Sequence, residues 1–193
     1  VSKPDKWFEV DLAAISFGQG ISVTPIQLTA AVAAIANGGY LMEPYIVDRV
    51  VDSQGQVTQQ NEPRVVRKVI AQDVALSVSR MMEMTTEDGG TAINARVPGF
   101  RVAGKTGTAQ KVDAVTGGYS ADKRVASFVG FLPAEDPQLV MLVTFDEPKI
   151  GVYGGLTAAP VFSRIAAQAM QSLKVAPNQE TPDGEAIPSL EQI

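Results

Sequence analysis

Apolar residues recur at Leu28, Val32 and Ile35 with alanines between them, the i, i+4, i+7 spacing of one helix face. Just upstream, Thr24-Pro25-Ile26-Gln27 sets a capping hydroxyl, a first-turn proline and a back-reaching amide at the offsets of a capping box. Asn37-Gly38-Gly39 supplies a stop. The pattern predicts a helix beginning at Pro25, and so small and apolar a surface predicts a buried one. Residues 45–51 are rich in β-branched side chains, Asp52-Ser53-Gln54-Gly55 is turn-like, and 56–60 can return antiparallel as a hairpin.

A second helix is predicted over 72–86, with Val74, Val78, Met81 and Thr85 on one side, ending before Asp88-Gly89-Gly90; its methionines read as ordinary core. Strands are predicted at 100–110, 125–132 and 138–146, the last two joined through the turn Pro133-Ala134-Glu135-Asp136-Pro137 as a hairpin. A final helix is expected to begin near Thr157, to hold Pro160 in its first turn, and to align Val161, Ile165 and Ala169, with Phe162, Ala166 and Leu173 nearby. After Lys174 the text turns to PNQETPDGEAIPSLEQ, the composition of a surface tail or linker over 174–193.

Composition changes this picture mainly by what it removes. The 193 residues contain no cysteine and no histidine. A cysteine nucleophile, a Ser-His-Asp triad, a His-ligated metal site and a disulfide framework are therefore excluded within this chain, and proton transfer falls to Lys, Tyr or carboxylates. A hydrophobic share of 45% is normal for a folded core, and the length suits one domain or a large part of one. The net charge of −5, without a concentrated basic face, argues against nucleic acid as a partner. No apolar run reaches transmembrane length, and the start at Val1 rather than Met leads us to expect a processed product or an excised fragment.

The candidate chemistry lies in one stretch. Residues 99–106, GFRVAGKT, fit the phosphate-cradling pattern G-x-x-x-x-G-K-[ST], and Asp146-Glu147 at the end of an apolar strand imitates a magnesium-binding strand end. Context opposes that reading. A phosphate loop must enter a helix after its Thr, whereas here Gly107 follows at once, Phe100-Arg101-Val102 is β-prone, and the downstream hairpin implies an antiparallel sheet. Along an exposed strand, by contrast, Lys105 and Gly107 share one face, Thr106 and Thr108 share the other, and the backbone can accept an extended peptide. By itself KTGT suits equally well an exposed lysine at a strand end with threonines chosen for β propensity.

Six blocks in order carry a resemblance to a family: SFGQGISVTPIQLTAAVAAIANGG from Ser16, GGTA from Gly89, VAGKTGTAQK from Val102, ASFVGFLPAEDP from Ala126, VTFDEP from Val143 and YGGLTAAPVFSRI from Tyr153. Through Leu173 the chain resembles the C-terminal part of the transpeptidase domain of a class B penicillin-binding protein, closest to the cell-division type. The resemblance implies an α+β, β-lactamase-like fold, an antiparallel sheet flanked by helices, present here in its C-terminal half over 1–173. It implies peptidoglycan crosslinking through an acyl-serine, with β-lactams as mimics of the stem peptide, and no cofactor or metal. Lys105 would belong to the proton-transfer network. Thr106 and Thr108 would bind the substrate carboxylate, Gly107 would permit close approach, the Thr108 amide would be an oxyanion donor, and Tyr153 would wall the cleft, unless it is simply a surface aromatic.

The implied partners are peptidoglycan stem peptides, β-lactam antibiotics, the upstream half of the same domain and cell-division proteins. The implied place is the extracytoplasmic face of the inner membrane, with the anchor outside this chain. One departure matters: the family's S-x-x-K and S-x-N motifs belong upstream of KTG, and neither occurs there. Ser120-Ala121-Asp122-Lys123 spells S-x-x-K, but it follows KTG and reads as a polar loop, so the nucleophile is expected in a preceding segment. A noncatalytic sensor relative could share all six blocks.

Overall fold

The computed structural model describes residues 7–16, 18, 20–112 and 117–179. In chain order these form α1 (Glu9–Ser16), α2 (Pro25–Ala36), β1 (Tyr40–Met42), β2 (Arg49–Val51), β3 (Val57–Gln60), β4 (Val65–Lys68) and α3 (Gln72–Glu83). A 3-10 turn at Ile93–Ala95 leads to β5 (Ala103–Val112), β6 (Tyr119–Leu132), β7 (Leu139–Asp146) and α4 (Gly154–Ser172). The architecture is α+β, as expected. Strands β5, β6 and β7 make an antiparallel sheet in that spatial order, with Lys105 opposite Val129 and Val129 opposite Leu142.

Strand alternation sorts the sheet's side chains into two layers. Phe128 and Leu132 join Val102, Phe162, Ala166 and Met170 beneath α4, with Met141 and Val143 packed alongside. Val129, Phe131 and Ala103 meet Val32 of α2 and Met82 of α3 on the other side, with Val140 and Leu142. The rings of Phe128 and Phe162 meet edge to face at 4.8 Å, an orientation their quadrupoles favour.

Glycine makes the α4 layer possible. A Cβ on Gly154 would stand 2.0 Å from the Ser127 carbonyl oxygen and 2.7 Å from that of Gly107, so the helix begins in backbone contact with the sheet. This explains why α4 starts three residues earlier than predicted and turns inward the stripe of Phe162 and Ala166 rather than that of Val161, Ile165 and Ala169. Its buried residues are Gly154, Gly155, Ala158, Ala159, Phe162, Ala166, Ala167 and Met170, whereas Ile165 and Leu173 are exposed. Small residues permit the closest approach, and counting large apolar side chains overlooks them. Pro160 falls in the second turn rather than the first; the helical bond it cannot make would have gone to the carbonyl of exposed Leu156.

The same correction applies to α3. Ala75, Ser79 and Met82 are its buried residues, with Val78 packed against the core, while Val74 and Met81 face outward. The methionines are thus only partly core, since Met81 is 65% exposed and Met84 is exposed as well. Helix α2 forms as predicted, with both bonds of its capping box, Thr24 Oγ1 accepting from the Gln27 amide and Gln27 Oε1 from the Thr24 amide. It is half buried rather than buried. Val32 and Ala34 are covered, but Ile26 is 57% exposed. Ile26, Ala30, Met42 and Val66 line an apolar groove of about 480 Å³.

The hairpin at 45–60 is present, though its first strand holds only Arg49–Val51, with Asp52 bonding the Gln54 and Gln56 amides across the turn. The β1–β4 pair was not anticipated. Strand β5 begins at Ala103 rather than 100 because Val97 and Phe100 close a bridge around Gly99, whose φ is +80°. Strand β6 begins at Tyr119, six residues earlier than expected. After α4, Val175 packs on the core, and the Asn178 and Gln179 amides donate to the Gly99 carbonyl. Residues 180–193 of the expected tail lie outside the described residues.

Two outcomes follow from this packing. In the intact protein, Gly154→Ala should lower stability by about 1–3 kcal/mol in urea unfolding, because neither carbonyl can retreat, whereas Gln171→Ala on the exposed end of α4 should change it by less than about 0.5 kcal/mol. The 193-residue chain on its own should bind a hydrophobic dye and self-associate at micromolar concentration. At roughly 25 cal/mol per Å², a few hundred Å² of open groove is worth several kcal/mol. A cooperatively melting monomer that ignores the dye would show that these residues cover their own core.

Candidate active site

Strand β5 lies at the edge of the sheet, so alternate residues aim their backbone groups away from β6. The carbonyls of Val102 and Gly104 are two of these. They accept hydroxyl bonds from Thr86 and Thr85, each at 2.8 Å, from the turn that ends α3. By the same alternation Thr106 and Thr108 present their N–H and C=O groups outward, beyond the last threonine that covers the edge. The threonines of α3's turn therefore close the edge as far as Gly104, and from Thr106 on no other element among the described residues covers it, the Thr106 carbonyl meeting the ammonium of its neighbour Lys105.

The expected site residues surround that opening. Lys105 is exposed on the α2 side of the sheet, and its ammonium donates to the Thr106 carbonyl oxygen at 3.0 Å. Thr106 and Thr108 point to the α4 side, as the alternation predicts. Thr106 Oγ1 donates to Thr91 Oγ1 at 3.3 Å, and Thr108 Oγ1 accepts the Gly154 N–H at 3.3 Å. Together with Thr91, Asn94, Tyr153 and Leu156 they line a cleft of about 420 Å³. Tyr153 is the N-cap residue of α4, 61% exposed, at the rim. The positive end of a 19-residue helix faces two hydroxyls here, a combination suited to an anion such as a carboxylate.

Gly107 has a neighbour inside the sheet: a Cβ there would stand 2.4 Å from the Ser127 hydroxyl on the paired strand. Gly155 lets α4 approach the Thr91 carbonyl, and Asn94 Nδ2 donates to the Gly155 carbonyl at 3.0 Å. The closing role of Thr85 and Thr86 and the anchoring by Thr91 and Asn94 were missed from sequence. The GGTA block marked Thr91, but nothing in a single threonine announces its partner.

Ser120 sits in β6, not in a polar loop. It is 6% exposed, its hydroxyl donates to Asp122 Oδ1 at 2.8 Å, and it accepts the Lys123 N–H at 3.1 Å. The bond from Ser120 holds the Asp122 carboxyl below its ordinary range. The Ser120 hydroxyl is thus taken up by the Asp122 carboxylate, and Lys123 meets it through its backbone N–H rather than through its ammonium, which is not the arrangement of a serine with a lysine base. Ser120 also lies beside Gln110, whose Nε2 donates to the Ser120 carbonyl, five positions along β5 from Lys105, or about 17 Å. The phosphate-loop pattern is likewise unsupported. Gly99 to Thr106 form a turn and an antiparallel strand, and Asp146 is engaged by Lys111 rather than open to a cation.

Comparison with known proteins bears on the family and the fold. The family described as the penicillin binding protein transpeptidase domain matches residues 1–167. Stage V sporulation protein D of Bacillus subtilis is 41% identical over 172 residues, covering 88% of this chain and 26% of that protein. The probable peptidoglycan D,D-transpeptidase PbpC of Pseudomonas aeruginosa is 38% identical over 182 residues, covering 92% and 30% respectively. Among solved structures, penicillin-binding protein 3 of Mycobacterium tuberculosis complexed with ampicillin superposes with a TM-score of 0.82 at 34% identity, covering 96% of this chain and 42% of that one. The chain thus spans less than half the length of these relatives.

The closure of the edge can be tested directly. Thr86→Val keeps the shape of a buried side chain but leaves the Val102 carbonyl without its donor, and should cost about 1–3 kcal/mol in denaturant unfolding. Ser77→Ala, on the exposed side of α3, should cost less than about 0.5 kcal/mol.

Proposed function

The chain belongs to the penicillin-binding protein transpeptidase family, and from that premise we propose that it is the KTG-bearing part of a serine D,D-transpeptidase that crosslinks peptidoglycan stem peptides and is acylated by β-lactams. The observation that carries this reading is the open edge of β5 from Thr106 onward, with two hydroxyls on one side of it and the Lys105 ammonium on the other.

A stem peptide laid along that edge adds a strand. Its backbone pairs with the outward groups of Thr106 and Thr108, and its terminal carboxylate meets their hydroxyls at the N-terminal end of α4. A ligand on the edge faces both sides of the sheet, so it reaches Lys105 and the threonines together. The serine comes from another part of the protein. Its oxygen attacks the penultimate D-Ala carbonyl, the new oxyanion takes a hydrogen bond from the Thr108 N–H, and the departing D-Ala amine receives the proton removed from the serine. Lys105, in a chain that holds no histidine, is the cation of the proton network and also favours the carboxylate. The amine of a second stem peptide then attacks the acyl-serine, and a β-lactam that acylates the serine leaves no such route open. Gly107 allows the substrate strand to approach, and Tyr153 forms the rim.

Peptidoglycan places this chemistry on the extracytoplasmic face of a bacterial membrane, beside the upstream half of the domain and the division or wall-building proteins it works with. Among the described residues no helix is long and apolar enough to cross a membrane.

Labelled penicillin tests the reading. The full-length protein should form a covalent adduct, and Lys105→Ala should slow its formation by about 10²–10⁴-fold. An unchanged rate would reduce the lysine to a structural role, and reversible binding without an adduct would mark a noncatalytic sensor. The 193-residue chain alone should form no stable adduct, and labelling at Ser120 would refute the assignment of the nucleophile to another segment.

A further inference from the structure

At the far end of the sheet from Gly104, three charged side chains meet across three strands. The pairing of β5 with β6 shifts register between Gln110 and Val112, and the residue at the shift is Lys111. Its ammonium donates to both carboxylate oxygens of Asp146, at 2.8 and 3.0 Å, and to Glu147 Oε1 at 2.8 Å. Lys111 and Glu147 are each about two-thirds shielded, with side-chain exposures of 31% and 34%. The hydrogen bonds to Asp146 and then Glu147 hold the Lys111 ammonium above its ordinary range, and the bond from Lys111 holds the Glu147 carboxyl below its own.

Glu147 is where the sheet ends and the rim of the cleft begins. Its N–H donates to the Arg124 carbonyl at 2.9 Å, the last bond tying this strand to β6. Its backbone is left-handed, with φ +50°, a conformation disfavoured for a side chain of its size and kept only where the surroundings impose it. The chain then runs through 148–153 to Tyr153 and enters α4, whose first amide is fixed on Thr108. Tyr153 therefore hangs on a short loop anchored at two points. One is the Gly154 bond to the site's own threonine, and the other is the left-handed Glu147 held by Lys111.

We propose that Lys111 is a positioning residue for the cleft. By holding Asp146 and Glu147 it fixes the 148–153 loop, and with it the Tyr153 rim, so it governs how the site discriminates among ligands by the bulk of the group that passes Tyr153. The lysine lies six positions from Lys105 along the same strand and touches neither the substrate nor the reacting atoms. This inference rests on the acyl-transfer reading above.

The experiment uses the full-length protein and compares acylation rates for ampicillin and for a penicillin carrying a bulky fluorescent side chain. Lys111→Met should change the ratio of the two rates by about ten- to a hundredfold, as a displacement of roughly 1 Å at a rim can do. Lys111→Arg should restore it. Glu147→Gln, which removes the charge while keeping the size, should shift the ratio in the same direction, and it serves as the second variant should Lys111→Met fold poorly. In a Tyr153→Ala background the Lys111→Met change should no longer alter the ratio, which a merely stabilising ion pair would not produce. An unchanged ratio in both Lys111→Met and Glu147→Gln, or effects of Lys111→Met and Tyr153→Ala that simply multiply, overturns the inference while leaving acyl transfer intact. Failure of the wild-type protein to be acylated by either compound overturns the acyl-transfer reading itself, and this inference with it.

Discussion

A strand at the edge of a sheet has every second pair of backbone groups directed away from its neighbour, and the organisation of this chain follows from how β5 meets that demand. The first part of the edge is satisfied internally, since Thr85 and Thr86 deliver hydroxyls to the Gly104 and Val102 carbonyls. The second part is left to whatever binds. A fully covered edge would be more stable and would bind nothing, while a fully open one would invite pairing with any extended chain. Here the boundary falls at the lysine, between the covered Gly104 carbonyl and the outward groups of Thr106.

Rigidity behind that edge comes from small side chains. Gly154 and Gly155 seat the start of α4 against Ser127, Gly107 and Thr91, and Gly104 leaves room for the Phe128 ring, which a Cβ would meet at 2.3 Å. Helix α4 therefore fixes the two threonines through backbone contact rather than through long, adjustable side chains. On the opposite side α2 and α3 pack against Val129 and Phe131 and leave the face of Lys105 exposed. Even so, the site is an incomplete enclosure. On that side the apolar groove beside Ile26 and Met42 stays uncovered among the described residues.

Much of this was legible in the sequence, for reasons that can be located. The capping box at Thr24 and Gln27 is a local rule with a local outcome, and so is the alternation that puts Lys105 and Gly107 opposite Thr106 and Thr108. The inward faces of α3 and α4 were misjudged because a hydrophobic pattern weights large residues. The actual faces are built on Ala75, Ser79, Ala158 and Ala159, where closeness matters more than bulk. Strands β1 and β4 were missed because three- and four-residue segments carry no periodicity and pair across more than twenty intervening residues. Thr85, Thr86 and Thr91 were hidden for a different reason. A hydroxyl's importance depends on which carbonyl it reaches, and that is decided by the tertiary structure.

The division of the KTGT residues between two sides of one sheet carries a consequence for how such a site can change over generations. The threonine side answers to α4 and the turn around Thr91, while the ammonium side answers to α2 and α3. Substitutions in the helix, or beneath it, can reshape the threonine side without disturbing the lysine on the other face. Under the proposed acyl-transfer reading, selection by an antibiotic has one wall on which to experiment, while selection for wall synthesis holds the other still.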